Sequence, residues 1–122
     1  MSFHPQLCFH ANTIEEVQEQ FTMLLQIQTP DAIFTMTDEI LAGVIQVIHE
    51  QNLRIPEDIA VISISNGNLP YYLYPKITYI KHSGQFVGKA AADLLFDLID
   101  TPKTVTKKQI ELETYLVELD SC

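Results

Sequence analysis

Three short polar runs carry the chemistry this chain offers, and each follows an apolar stretch of strand-like composition. His10-Ala11-Asn12 follows residues 7–9, Thr37-Asp38 follows residues 32–36, and Ser65-Asn66 follows residues 59–64. Together they supply a carboxylate, amides, hydroxyls and an imidazole. That set both donates and accepts hydrogen bonds, which suits a neutral polyhydroxyl ligand. Each residue also has a plainer use. Thr37 or Asp38 caps a following helix as readily as it meets a ligand. Ser65-Asn66-Gly67-Asn68 is turn chemistry, selected for its backbone angles. His10 at a strand exit is more often a surface or packing residue. Tyr71, Tyr72 and Tyr74 fit a packing cluster, a carbohydrate-stacking platform or a subunit interface alike.

Catalytic constellations are thin. There is no nucleophile elbow, no glycine-rich phosphate loop and no histidine pair at metal-ligand spacing. The four glycines, at 43, 67, 84 and 88, form no dinucleotide fingerprint. Asp38, Ser65 and His82 can be drawn as a triad, but their spacing lends it no support. Neither an enzyme nor a bound cofactor or metal is expected. Cys8 and Cys122 show no metal or redox spacing and read as two reduced thiols.

The polar runs need elements to hold them. Thr13 and Glu16 fit a capping box. Ile14, Val17, Phe21, Leu24 and Leu25 then mark one buried helical face, closed by Thr29-Pro30-Asp31. After the strand at 32–36, a helix over about 39–51 is apolar round a wide arc and should be buried on more than one side. Asn52 is a left-handed cap with Pro56 just beyond. Residues 59–64 are continuous and β-branched, as buried parallel strands are. Strand, helix, strand, helix, strand is the order of right-handed crossovers in a parallel sheet, with every strand pointing the same way. Ligands bind such sheets at the carboxyl ends of the strands, which is where the three polar runs fall. Further on come a strand at 77–80, a helix over 85–99, a polar loop with Pro102 and three lysines, and alternating strands at 110–113 and 115–119.

Composition bounds the reading. With 122 residues, 47% apolar and 19% charged, the chain holds one modest core. Net charge is −9, and no Lys or Arg precedes Arg54. So acidic a surface repels phosphate backbones, which argues against direct nucleic-acid binding by these residues. No apolar run is long enough to span a membrane, and residues 1–11 lack the basic start and apolar stretch of a signal peptide.

Specific residues then narrow the class. Pro30-Asp31-Ala32-Ile33-Phe34 through Asp38, followed by Leu53-Arg54-Ile55-Pro56-Glu57-Asp58-Ile59-Ala60-Val61-Ile62, resembles the C-terminal subdomain of lactose-repressor (LacI-type) regulators. Pro75-Lys76-Ile77-Thr78-Tyr79-Ile80 resembles the family's proline-x-leucine-threonine-threonine segment, and the match runs over about residues 7–121. The resemblance implies an α/β fold, a parallel sheet flanked by helices, forming one lobe of a type I periplasmic-binding-protein-like (Rossmann-like) core. Residues 1–82 and 116–122 would form that effector-binding lobe, while 83–115 would belong to a first lobe mostly absent here. It further implies a cytoplasmic transcription regulator that binds a small effector, a carbohydrate by expectation, and that dimerises. DNA would be met only through a helix-turn-helix head outside these residues. A transport-type solute-binding protein is the alternative.

Site residues carry over one by one. Asp38 stands where the family has an aspartate after its strand, and Thr37 replaces the usual asparagine. Ser65, followed by Asn66, stands where many members place a sugar-binding aspartate, so a strong acceptor is lost. His82 stands where glutamine or aspartate is common, beside the cleft, and His10 and Asn12 complete the expected ligand set. Ala42, Leu69, Tyr71, Tyr72, Leu73 and Tyr74 resemble the dimerisation region. The helix over 85–99 would lose its normal partner, and is expected either to fold back locally or to pack on a neighbouring copy.

Overall fold

The computed structural model of the chain describes residues 5–100 and 109–122. Pro102 and the three lysines of the loop lie outside the described residues. Four strands form one sheet in the order β1-β2-β3-β4. They are β1 (Ala32–Thr35), β2 (Ala60–Ser65), β3 (Thr78–Lys81) and β4 (Tyr115–Val117). β1 to β3 are parallel, in the register Ala32↔Ala60 and Ile62↔Thr78, and helices connect them. β4 runs the other way, pairing Tyr79 with Val117. The common direction expected of the strands at 32–36 and 59–64 holds for β1 and β2, and β3 shares it.

Helix α1 (Ile14–Ile27) begins on Thr13, whose Oγ1 accepts from the Glu16 N–H at 3.2 Å. The Glu16 carboxylate reaches back to the N–H of Asn12 at 2.7 Å, closing the capping box one residue further upstream than usual. Helix α2 (Asp38–Glu50) lies on α1 and buries Leu41, Gly43, Val44, Ile45, Val47 and Ile48. Gly43 permits that approach, since a Cβ there would stand 3.0 Å from the Val17 side chain. Asn52 closes α2 at φ 56°, the left-handed cap expected of it. The core joins Val17 and Phe21 of α1 to Leu41, Val44, Ile45 and Ile48 of α2, and to Ile59, Val61 and Ile77 along the sheet.

Two strand expectations fail. Residues 7–9 form no strand; a 3₁₀ turn (Pro5–Leu7) occupies the start, with the Cys8 N–H donating to the Pro5 carbonyl at 3.0 Å. Residues 110–113 are also irregular, so only the second of the two alternating stretches pairs. In both places apolar composition is present and a ladder to hold it is not. After a single helical turn, α3 (Leu69–Tyr72), helix α4 (Gly84–Asp100) buries none of its residues, so it does not fold back on the described chain.

Before β2, Arg54 donates from its side chain to both carboxylate oxygens of Asp58, at 2.7 and 2.8 Å, and from its backbone N–H at 2.8 Å. These bonds hold the Asp58 pKa at about 2, below its ordinary 3.8. The stabilisation is present above the ordinary value and is lost as pH falls from there through about 2. Carbon-detected NMR should show that low midpoint, and Arg54→Ala should raise it only part of the way to the normal aspartate range, because the backbone N–H of residue 54 still donates.

The last residues stitch the sheet. Ser121, fully buried, accepts the Thr78 N–H on its hydroxyl at 2.8 Å and donates to the Val61 carbonyl at 2.5 Å. Its own carbonyl accepts from the Val61 N–H at 3.0 Å. One side chain therefore joins β2 to the head of β3. Ser121→Ala strands a buried donor, and should cost about 1–3 kcal/mol in urea unfolding.

Candidate functional site

The parallel strands bring three polar ends to one edge of the sheet. β1 leads through Met36 into Thr37 and Asp38, β2 ends at Ser65 and Asn66, and β3 ends at Lys81 and His82. The backbone ties the last two together, because the His82 N–H donates to the Ser65 carbonyl at 3.2 Å. His10 and Asn12 lie with Thr37 on a cavity of about 750 Å3, whose lining does not include Asp38, Ser65, Asn66 or His82. The sequence-derived site thus divides into a pair of strand ends at β2–β3 and a cavity group beside β1.

The plainer readings hold for several residues. Thr37 is the cap of α2, its Oγ1 accepting from the Ile40 N–H at 3.2 Å, which leaves its hydroxyl proton available. Ser65 and Asn66 build the turn after β2: Ser65 Oγ accepts from the Gly67 N–H at 3.0 Å, and Asn66 Oδ1 from the Asn68 N–H at 3.1 Å. Gly67 closes that turn at φ 101°, and an added Cβ would stand 2.8 Å from the Tyr79 hydroxyl. Gly67→Ala should therefore cost about 1–3 kcal/mol from backbone strain. Equilibrium unfolding in urea would read it.

Asp38 is different. It opens α2, where a helix favours negative charge, yet its Oδ1 is buried with no hydrogen-bond partner among the described residues. A buried acceptor left unpaired costs about 1–3 kcal/mol. Thr35 Oγ1, on the strand leading to it, shares that condition. Sequence reasoning did not single out Thr35, because a threonine in an apolar strand carries no signal until its burial is known.

The tyrosines separate as well. Tyr71 packs edge-on against Tyr79 at 6.0 Å between ring centres, with Lys76 Nζ 5.8 Å from the centre of the Tyr71 ring. Burial, with Tyr71 alongside, raises the Tyr79 pKa. Tyr72 and Tyr74 project freely, while Leu69 and Leu73 rest against the core and Ala42 is half-buried. Among the described residues no acidic, histidine or cysteine cluster could hold a metal ion, and no helix is long and apolar enough to cross a membrane.

Residues 5–122 match the family model of the periplasmic binding protein-like domain. The chain belongs to that family. Its periplasmic binding protein-like domain is similar to the ribose operon repressor of Escherichia coli (strain K12), 33% identical over 92 residues, covering 75% of this chain and 28% of the repressor. It is similar also to the transcriptional repressor PurR of Pasteurella multocida (strain Pm70), 35% identical over 95 residues, covering 78% of this chain and 28% of that one. The chain thus spans about a quarter of the length of these curated relatives. Among solved structures, the transcriptional regulator CelR in complex with cellobiose matches at a TM-score of 0.85 and 25% identity, over 100% of this chain and 38% of that one. A LacI family regulator from Enterococcus faecium with bound ribose matches at 0.74 and 25%, over 89% and 40%. The family confirms the α/β lobe and the resemblance to LacI-type regulators. The relatives are transcriptional repressors, and the transport-type alternative is not favoured.

Proposed function

We propose that this chain is the effector-sensing and dimerisation region of a LacI-type transcription regulator, taking a small polar effector of the sugar class. The observation that carries the reading is the buried, unpaired carboxylate oxygen of Asp38 at the end of β1. A sugar hydroxyl is a donor that satisfies such an acceptor; Thr37, Ser65, Asn66 and His82 at the strand ends, and His10 and Asn12 on the cavity beside β1, offer further donors and acceptors. Relatives that hold ribose and cellobiose support the class of ligand. Residues 1–82 with 116–122 form the sensing lobe in this reading, and 83–115 belong to a companion lobe. Ala42, Leu69, Tyr71, Tyr72, Leu73 and Tyr74 form the dimer contact. The protein works in the cytoplasm, catalyses nothing, and reaches DNA only through a separate helix-turn-helix head.

A one-lobed site encloses its ligand from one side and binds weakly. NMR chemical-shift mapping of this chain against millimolar ribose, cellobiose and a purine nucleoside is therefore the appropriate test. Saturable shifts concentrated at Thr37, Asp38, Ser65 and His82 are expected with a sugar. Shifts confined to residues away from the three strand ends would overturn the assignment.

A further inference from the structure

Donors and acceptors are not shared evenly among the three strand ends. At the end of β2 each side-chain oxygen already accepts a local N–H: Ser65 Oγ from Gly67 at 3.0 Å, Asn66 Oδ1 from Asn68 at 3.1 Å. The protons left free there are those of the Ser65 hydroxyl and the Asn66 amide. The Ser65 carbonyl is engaged as well, by the His82 N–H at 3.2 Å. His82 itself can give or take one further bond through its ring.

β3 adds a charge to this end. Ser65 and Lys81 are Cα partners in the parallel ladder, so their side chains leave the same face of the sheet. Among the described residues the cations are Arg54, Lys76, Lys81 and Lys89. Arg54 is held by Asp58, Lys76 stands over the Tyr71 ring, and Lys89 lies along α4. Lys81 is exposed and has no ion-pair or hydrogen-bond partner among the described residues. Tyr115, its partner on β4, spends its hydroxyl on Glu113 at 2.6 Å, so that carboxylate is already engaged. Asp38, the acid of the candidate site, follows β1, two strand spacings or about 10 Å from β3. The edge is thus polarised, with an acceptor at β1 and donors with one positive charge at β2 and β3.

We propose that the effector is a sugar acid with a single carboxylate, a deepening that rests on the effector reading above. Its hydroxyls face Asp38, and its carboxylate lies between Ser65 and Lys81. A neutral sugar suits that end less well. A hydroxyl that accepts from Lys81 still has its own proton to place, and an ammonium cannot take it. A carboxylate has only lone pairs to offer, and meets a hydroxyl and an ammonium side by side. A phosphate ester brings about −1.5 to −2 charges against one ammonium, with Asp38 adding to the repulsion.

NMR titration of the 122-residue chain with D-glucuronate, D-glucose and D-glucose 6-phosphate varies the charge on one ring. Sodium chloride is added so that all three titrations run at equal ionic strength. Glucose and glucuronate should both shift Thr37 and Asp38, and glucuronate should also shift Ser65, Lys81 and His82. Glucuronate should bind at least threefold more tightly than either of the others, a floor set by the modest strength of exposed ion pairs. Lys81→Gln should bring the glucuronate-to-glucose affinity ratio to about one, and Lys81→Glu should invert it. Lys76→Gln makes the same charge change at the opposite end of β3 and should keep the ratio. Added salt should shrink the glucuronate advantage by screening. Glucose or the phosphate binding as tightly as glucuronate, or a glucuronate preference that survives Lys81→Glu, would overturn this proposal and leave the effector reading standing. No saturable shift at the strand ends with any of the three would overturn both.

Discussion

If Asp38 holds the effector as proposed, Asp38→Ala should abolish the sugar-induced NMR shifts while leaving the ligand-free chain as stable as the parent, or more so. Two opposing terms set the second half of that result. The carboxylate at the first turn of α2 gains about 0.3–1 kcal/mol from the helix dipole. Its unpaired buried oxygen costs about 1–3 kcal/mol. The cost equals or exceeds the gain, so deletion is neutral or stabilising by up to about 2.7 kcal/mol. Binding responds in the opposite sense, because the acceptor that makes the empty site costly is the one a ligand hydroxyl satisfies. A hydrogen bond to a charged group contributes about 1.5–3 kcal/mol, or roughly ten- to a hundredfold in affinity. Urea unfolding and ligand titration on one sample read both terms. Unchanged affinity in the variant would remove Asp38 from the site.

Phe21→Ala should destabilise the chain by about 3–5 kcal/mol, the range for truncating a buried aromatic side chain. Phe21 is fully buried in α1 and stacks on Phe9 with 6.3 Å between ring centres. That contact holds the strandless stretch 7–12 against the body of the fold. Domains of this size are stable by about 5–15 kcal/mol, so the loss removes a large share of the total. The urea midpoint should fall with an unchanged slope, as expected when the native state alone is weakened. A shift worth less than about 1 kcal/mol would mean that α1 is held by other contacts.

What the sequence made legible follows from distance along the chain. The caps at Thr13 and Asn52, the helical faces of Val17–Phe21 and Leu41–Ile48, and the continuous strand at 60–65 are set by neighbours within a few residues. They are found where their spacing puts them. Residues 7–9 and 110–113 have the right composition, but a strand exists through a partner that composition does not name. Ser121 lay wholly out of reach: its partners Thr78 and Val61 are 43 and 60 residues away. The candidate site shows the same division. Ser65 and Asn66 proved to be turn residues by their local bonds, as their types allowed. The unpaired oxygen of Asp38 and the cavity beside β1 required the packed sheet to be seen.

The place of β1 at the outside of the sheet has a further consequence, for the behaviour of concentrated solutions. At neutral pH the net charge of −9 keeps copies apart before their open backbones can meet. That repulsion vanishes near pH 4.6, where positive and negative charges balance. The uncharged run of residues 32–36 then becomes the natural seed for stacking molecule on molecule. Turbidity should peak around that pH, and thioflavin binding should accompany it. Added salt at pH 7 should reproduce part of the effect by screening the same charge.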